Sequence, residues 1–531
     1  MVNYLHPGVF IQEVPSARSI QGVSTSVAAF VGLTEKGPTN VPTLLTSWNA
    51  YVRQFGSFAW SSFVSWAVYE FFLEGGTACY VVRSDPGNGK AATTTLGGTQ
   101  INAASPGTWG NGICVSITNG SSTSGTAPTP VFTLQVVVDS STVSTSSTTL
   151  SGQMMANFVI QNGLTPVAIP STGTKTYYVL ETFSGFTLAN ASFADRINSN
   201  SMFLRVGAVD GARPSNTGSP KPLTGGVGWD NTLPAALNTL KTVQGLSLLA
   251  VPDTAGLVTG AGISDTATQA AQINTGLQLC ETLQSLFYVI DPPGGMSVQD
   301  IVSFKSGTLA TNSPAINSSY GAMYYPWVWI TNPLVNLRVP IPASGPVLGR
   351  YAHTDGNVGV FKSPAGVNDG AMLSVVSVAQ TLSDSDQDQL NPNGIDAVRN
   401  LINYGNVIWG ARTVSQDTQW TYVSVRRLFI YVEQSLKNSL QWVVFESNDQ
   451  ALWSSVSRDI SAFLTTLWQQ GGLFGASAAE AFFVICDASN NPAATRSQGY
   501  LYIDIGLAPV YPAEFVVIRI SQKTAGPDSG N

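Results

Sequence analysis

The chain has 531 residues, a formal net charge of −7 and only 10% charged residues against 44% hydrophobic ones. That length exceeds what one core holds and predicts about two to four domains. The charged fraction, far below the roughly 25% of an average soluble domain, predicts a surface that faces other protein or is covered by Ser, Thr and Asn. An acidic balance without any basic run argues against a nucleic-acid partner. Cys79, Cys114, Cys280 and Cys486 are widely spaced with no CxxC pair. They read as structural thiols of a chain made in a reducing cytoplasm, not as a disulfide framework or a metal site.

The opening MVNYLHPGVF lacks the basic and apolar regions of a signal peptide. No apolar run approaches the ~18–20 residues that span a bilayer, so the chain reads as soluble. After Pro7-Gly8, the run Val9, Phe10, Ile11, Gln12, Glu13, Val14 is a short strand ended by Pro15 and followed by the polar stretch Ser16 to Ser26. A strand cut off from its own core is either a frayed terminus or an addition to a sheet edge elsewhere, including one on another chain.

From Val27 the pattern becomes globular. VAAFVGL is a buried strand, TLLTSWNAYVRQFG a helix with Trp48, Val52 and Phe55 on one face, residues 62 to 73 a second helix, and CYVVRS another strand. From about Pro86 to Pro222 the composition turns to Ser, Thr, Gly and Asn, with short alternating runs such as ICVSI, FTLQVVVD and TYYVLETF. This predicts a small β domain without a strong long helix, inserted into the α/β domain and displayed outside. TSGTAPTP (123–130) and SSTVSTSSTT (140–149) read as exposed loops.

The α/β alternation then resumes. LSLLAVPD is a strand, and residues 264 to 283 a helix with Ile273, Leu277, Cys280 and Leu283 on one face. SLFYVIDPP is a strand, Ser297 with Asp300 a capped helix start, and YGAMYYPWVWI a single aromatic strand. The Pro- and Gly-rich segment from Val339 to Asn368 predicts a structured loop, and AMLSVVSVAQTL a short helix ahead of the acidic linker SDSDQDQ. In the last third, Val425, Leu428, Phe429, Val432, Leu436 and Leu440 mark one face of a helix, with Arg426 and Arg427 expected in solvent by default or, as the alternative, paired with acidic neighbours. A further helix capped near Asn448-Asp449 carries a broad stripe from Leu452 to Trp468. Ser477 with Glu480 predicts a capping box before AFFVICD. YLYIDIGLAP follows, and beyond Pro509 and Pro512 comes a last strand, Phe515, Val516, Val517, Ile518, Arg519, Ile520.

Catalytic residues are scarce. The only histidines are His6 in the first arm and His353, expected in a loop, and no GxSxG elbow accompanies them. GNGKA at 87–91 lacks the earlier Gly and the Ser/Thr of a phosphate loop. Asp384, Asp386 and Asp388 mimic a calcium loop whose Gly and Glu positions hold Gln389 and Ile395. Asp253 and Asp291 end strands where α/β enzymes place catalytic groups, but beside prolines they read as capping or turn residues. No catalytic, cofactor-binding or metal site is expected.

Several stretches, in this order, resemble the tail sheath proteins of contractile phage tails and related injection systems. They are HPGVFIQEV, VSTSVAAFVGLTEKGP, SPGTWGNGI, YYPWVWI, GRYAHTDGNVGVFKSPA, NPNGIDAVRN, VIWGARTV, VSVRRLFIYVEQSL, WVVFESND, GASAAEAFFV and GLAPVYPAEFVV. The set covers both ends and most of the α/β portion and thins between Val115 and Phe203.

The resemblance implies a homo-oligomer of stacked rings or helical strands around an inner tube protein, with baseplate and terminator or cap partners, no direct nucleic acid and no membrane insertion. It implies a particle assembled in the bacterial cytoplasm that shortens and drives the tube through a target envelope without a cofactor. It further implies that the N- and C-terminal arms, Val9 to Val14 and Phe515 to Ile520, donate strands to neighbouring subunits. For tube contact the expected region is Arg458, Gln469 and Gln470. The expected fold is an α/β (α+β) core with a mixed sheet flanked by helices, an inserted β-rich outer domain and two strand arms. Its expected divisions are 1–25, 26–86, 87–222, 223–390, 391–510 and 511–531. A surface adhesin with a Ser/Thr-rich β domain is the alternative, though an export signal is missing. A hydrolase would need a nucleophile–base pair that the chain does not offer.

Overall fold

A computed structural model describes residues 19–515 and 517, apart from 59–61, 86–87, 123–128, 145–154, 170–172, 228–232, 257–265 and positions 36, 107, 157, 161 and 335. Residues 1–18, 516 and 518–531 lie outside the description, and so do much of both expected loops at 123–130 and 140–149 and Gly87 of GNGKA.

The chain begins with β1 (Ala28–Gly32), β2 (Thr43–Leu45), α1 (Trp48–Phe55), α2 (Val64–Leu73) and β3 (Cys79–Arg83). Ser47 starts α1 by accepting from the Ala50 amide. The helix buries Tyr51 and Phe55, while Val52 is exposed, so its inner face is one position round from the expected one.

Two groups of strands follow. β4 (Thr93–Leu96), β5 (Thr99–Ala103) and β10 (Leu204–Val206) form a three-stranded sheet. β6 (Ile113–Ser122), β7 (Thr129–Asp139), β8 (Val167–Ala168), β9 (Thr176–Phe186) and β11 (Lys221–Pro222) form a five-stranded one. Phe132, Leu134 and Val136 alternate inward along β7 as period two requires. Within this stretch, expected to hold no strong long helix, α3 (Ala191–Asn200) is a ten-residue helix that the sequence pattern does not single out. Asn190 caps it, Phe193 packs against Phe132 and Phe186, and Ile197 is buried in the same cluster. Its polar sequence has weak helix propensity, and packing of two apolar residues decides. Arg205 of β10 ties these strands to the first segment, donating to the Phe58 carbonyl and pairing with Glu35 at 3.2 Å.

The remaining elements are α4 (Leu233–Thr239), β12 (Leu248–Ala250), α5 (Thr266–Leu283), β13 (Phe287–Ile290), α6 (Val298–Ser306), β14 (Gly321–Tyr325), β15 (Val328–Thr331), β16 (Arg338–Ile341), α7 (Ser344–Asn357), β17 (Ser377–Val378), α8 (Asp384–Leu390), β18 (Ile395–Leu401), β19 (Gly405–Ile408), α9 (Val423–Ser439), α10 (Gln450–Gln469), β20 (Phe482–Ile485) and β21 (Asp504–Leu507).

Eight strands make the central sheet in the order β19-β18-β14-β13-β12-β1-β3-β2. The inner six run parallel, and antiparallel β19 and β2 close the edges. Parallel strands covered on both faces must be apolar throughout, and every residue of β1, β12, β13 and β14 is buried. Ala28 and Phe30 face a cluster with α2 and α7, whereas Ala29 and Val31 face a second cluster with α4, α5 and α6. The result is three layers, with a mixed sheet between helices. The sheet is completed by residues 395–408, so the chain crosses 391 without leaving it.

Three local expectations are corrected. YGAMYYPWVWI is two strands in two sheets, because Pro326 offers no N–H to extend the ladder. The segment 339–368 holds β16 and the 14-residue α7, not a loop. Its glycines permit tight contact: a Cβ on Gly345 would lie 2.5 Å from Ala67 Cα, and one on Gly349 2.8 Å from the Phe71 carbonyl. AMLSVVSVAQTL is not helical. Ser374 donates its amide and hydroxyl to Glu74, and β17 adds to β15. The helix is instead the acidic segment, where Ser383 and Asp386 form a capping box that starts α8. Ser297 and Asp300 form the expected box at α6. Ser477 does not cap, and Glu480 reaches back to the Ala476 amide.

Candidate assembly interface

A third apolar cluster joins α9, α10 and the two-stranded sheet β20–β21. Leu452, Val456, Ile460, Leu464 and Leu467 form the buried stripe of α10, which Asp449 caps. Arg458 and Gln469 are exposed on the same helix, away from that stripe, and exposed Gln470 follows directly as its C-cap. β20 and β21 pair only with each other among the described strands, and Phe483 and Ile485 of β20 are exposed.

The first and last described segments both meet this region. The N-terminal segment lies against α9 through two serines one turn apart: Gln21 N donates to Ser439 Oγ and Val23 N to Ser435 Oγ, each at 3.1 Å. The spacing fits, because two extended residues and four helical ones each advance about 6 Å. Gly22 lies between them, where a Cβ would meet the Tyr431 hydroxyl at 2.2 Å. Arg427 donates to the Thr25 carbonyl at 2.9 Å and to Asp355 of α7, and both charged side chains are buried. Val9 to Val14 lie outside the described residues.

The C-terminal segment is held by Phe474 N to Ala508 O and Ala508 N to Ala481 O, and then by a two-point contact between Arg412 and Glu514. Beyond Glu514, Phe515 and Val517 are exposed and belong to no strand. Val516, Ile518, Arg519 and Ile520 lie outside the described residues.

The arginines expected in solvent are both buried. Arg426 stacks on Trp420 at 3.4 Å and on Tyr320 at 4.7 Å. Periodicity could not show this, because Tyr320 and Asp355 are distant in sequence and Trp420, though only six residues before Arg426, lies outside the helix.

His353 sits on α7, not in a loop, with its ring 3.1 Å from the Arg350 guanidinium and beside Asn357. No nucleophile lies among those partners, and His6 is outside the description. Asp253 accepts from the Leu33 and Phe63 amides at 2.6 Å, and Asp291 from the Ser344 amide that opens α7. Burial pushes both carboxyls up to about 7 against those hydrogen bonds. Asp396, not singled out by sequence, does the same for the Arg412 amide, and burial holds it well above the ordinary range. All three side chains accept from backbone amides, the capping role expected for the first two. Among the described residues no group of three or more His, Cys, Asp or Glu could hold a metal. Nor is any described helix long and apolar enough to cross a membrane.

These features describe a three-layer body whose first and last described segments are anchored near a two-stranded sheet. The chain belongs to the phage tail sheath family. The model of the phage tail sheath protein central domain matches residues 240–414, and that of the phage tail sheath C-terminal domain residues 415–523. The tail sheath protein of Vibrio phage KVP40 is 25% identical over 238 residues, 44% of this chain and 35% of that protein. That of Enterobacteria phage T4 is 24% identical over 245 residues, 45% and 36%. The chain thus spans little more than a third of the length of these relatives. In fold it is similar to the anti-feeding prophage helical sheath in its contracted state (TM-score 0.57, 23% identity, 97% of this chain and 99% of that one). It is likewise similar to the sheath complex of the extracellular contractile injection system PVC, also contracted (0.56, 20%, 98% and 99%).

Proposed function

We propose that this chain is the subunit of a contractile sheath, which polymerises around an inner tube in an extended metastable state and shortens to drive the tube through a target envelope. The observation that carries this reading is the unbroken match of residues 240–523 to the two sheath domain models, on a chain whose whole described fold resembles contractile sheaths. The energy resides in the difference between two packings of the same subunits, so the mechanism needs no cofactor. The low charged fraction agrees with a surface largely covered by neighbouring copies.

In this reading the arms Val9–Val14 and Phe515–Ile520 add to the open edges of β20–β21 in neighbouring copies. Main-chain hydrogen bonds then keep the lattice linked while the bodies rotate. Exposed Phe483 and Ile485 offer the apolar face such strands need. Arg458, Gln469 and Gln470 face the inner tube, and the baseplate and cap bind the ends of the polymer. Residues 87–222 form an outer unit inserted between core segments 26–86 and 223–390, with 391–510 as the C-terminal part and 1–25 and 511–531 as arms. The particle, a virion tail or an injection system, assembles in the bacterial cytoplasm.

Electron microscopy of the purified protein, intact and lacking residues 1–18, tests this. Tubes that form with the intact chain and vanish on deletion support it. Normal tubes from the deleted chain remove the N-terminal arm from the mechanism. If neither forms tubes even with the particle's tube protein added, the sheath reading fails.

A further inference from the structure

Each chain end leaves the described body past one arginine, and both arginines belong to one short stretch. Arg412 holds Glu514, with Nε 3.0 Å from one carboxylate oxygen and 3.1 Å from the other. Arg427 holds the Thr25 carbonyl. Between them the chain closes on itself: Thr413 N donates to Thr421 O at 2.7 Å, Thr413 Oγ1 to Trp420 O at 2.6 Å, and Val423 N to Ala411 O at 3.0 Å.

Tyr422 pairs with Arg412 across this turn, and its ring lies 6.0 Å from that of Tyr511 on the C-terminal segment. The same Tyr422 is the N-cap of α9, and Arg427 stands one turn inside that helix. An open cleft of about 730 Å³ borders Thr25 and Arg427, and another of about 740 Å³ borders Glu514 and Phe515. Each end therefore has room to change direction once its clasp opens.

We infer that Ala411–Arg427 gears the two ends to each other. Arg412 and Arg427 are positioning residues that set the angle at which each end leaves, and the closed turn transmits release of one clasp to the other. A movement of the C-terminal end in one contact thereby shifts the N-terminal end in another. This rests on the reading of both ends as links between copies, but the gearing itself is a property of the single subunit.

The test is hydrogen exchange on the full-length, unpolymerised protein. Glu514→Gln removes the charge of the C-terminal clasp and keeps its shape. It is expected to speed exchange about tenfold at the hydrogen-bonded amides that carry the clasp, Arg412 and Thr413. The amides of Gln21 and Val23 are expected to speed up with it, while β21 and α5 exchange as before. Asp355→Asn should give the reciprocal result, speeding the Arg412 and Thr413 amides as well as those of Gln21 and Val23. Acceleration confined to the mutated end in both variants overturns the gearing. If either variant unfolds, Arg412→Glu combined with Glu514→Arg restores the pair in reverse and should return both ends to the original exchange. Failure of that rescue also overturns it. Because nothing polymerises in this measurement, its outcome is separate from the loss or survival of tubes on deletion of residues 1–18.

Discussion

Gly345 of α7 sits directly on Ala67 of α2, close enough that any side chain at 345 would strike the neighbouring backbone. The same helix pair places Gly349 on the Phe71 carbonyl, so two small residues one turn apart let the helix axes approach over the central sheet. Gly345→Val forces the pair apart and should cost about 1–3 kcal/mol, read as a lowered midpoint in urea or thermal unfolding.

Asp253 fastens the loop after β1 and the start of α2 to the end of β12 by accepting two backbone amides at 2.6 Å. Asp253→Ala leaves both donors buried and unpaired, a loss of roughly 1–3 kcal/mol for each. Chemical denaturation should show a fall of more than about 2 kcal/mol, whereas removal of exposed Asp487, whose carboxylate accepts from nearby Ser489 in a surface turn, should have a much smaller effect.

Glu70, Glu181, Asp253 and Asp291 are all pushed up to about 7 by burial. Their folded values lie above the unfolded ones, so between about pH 4 and 7 the folded chain binds more protons and stability falls as pH rises. His353, pushed down by burial and by Arg350, opposes this below its ordinary 6.5, but as a single group. Lys305, lowered to about 8, acts only above that range. Thermal midpoints measured across pH 5 to 7.5 should therefore decline, and Glu70→Gln should reduce the slope by up to about 1.4 kcal/mol per pH unit. A midpoint that rises over this range contradicts the assignment.

In the proposed strand addition, Val516→Pro and Ile518→Pro would each remove a ladder donor from the C-terminal arm. Both variants should remain monomers with the unfolding midpoint of the intact chain, because the last described anchor, Glu514, precedes them. Sedimentation and microscopy should show no tubes. Normal tubes from both would take this arm out of the linkage.

The ordered motifs identified the family, and composition and periodicity located β1, α2, β3, α5, β13 and α10, where one face or the whole element is apolar over several turns or residues. Sequence also showed the caps at Ser297 and Asp449, since a cap is a local bond between near neighbours. It misread 339–368, where Gly345, Pro346 and Gly349 weaken helix propensity yet serve close packing against α2. It misread 371–388 too, because the fate of AMLSVVSVAQTL depends on Glu74, about 300 positions away. The burial of Arg426 and Arg427 and the clasp between Arg412 and Glu514 were likewise invisible. Their partners Tyr320, Asp355, Thr25 and Glu514 become neighbours only when the fold brings distant segments together, and Trp420, though near in sequence, lies outside the helical repeat. What is local, the repeat of apolar residues and the short-range caps, could be read from the chain alone. Which polar groups face one another across the fold was decided by tertiary structure, since charge pairing depends on distance in space and not on distance in sequence.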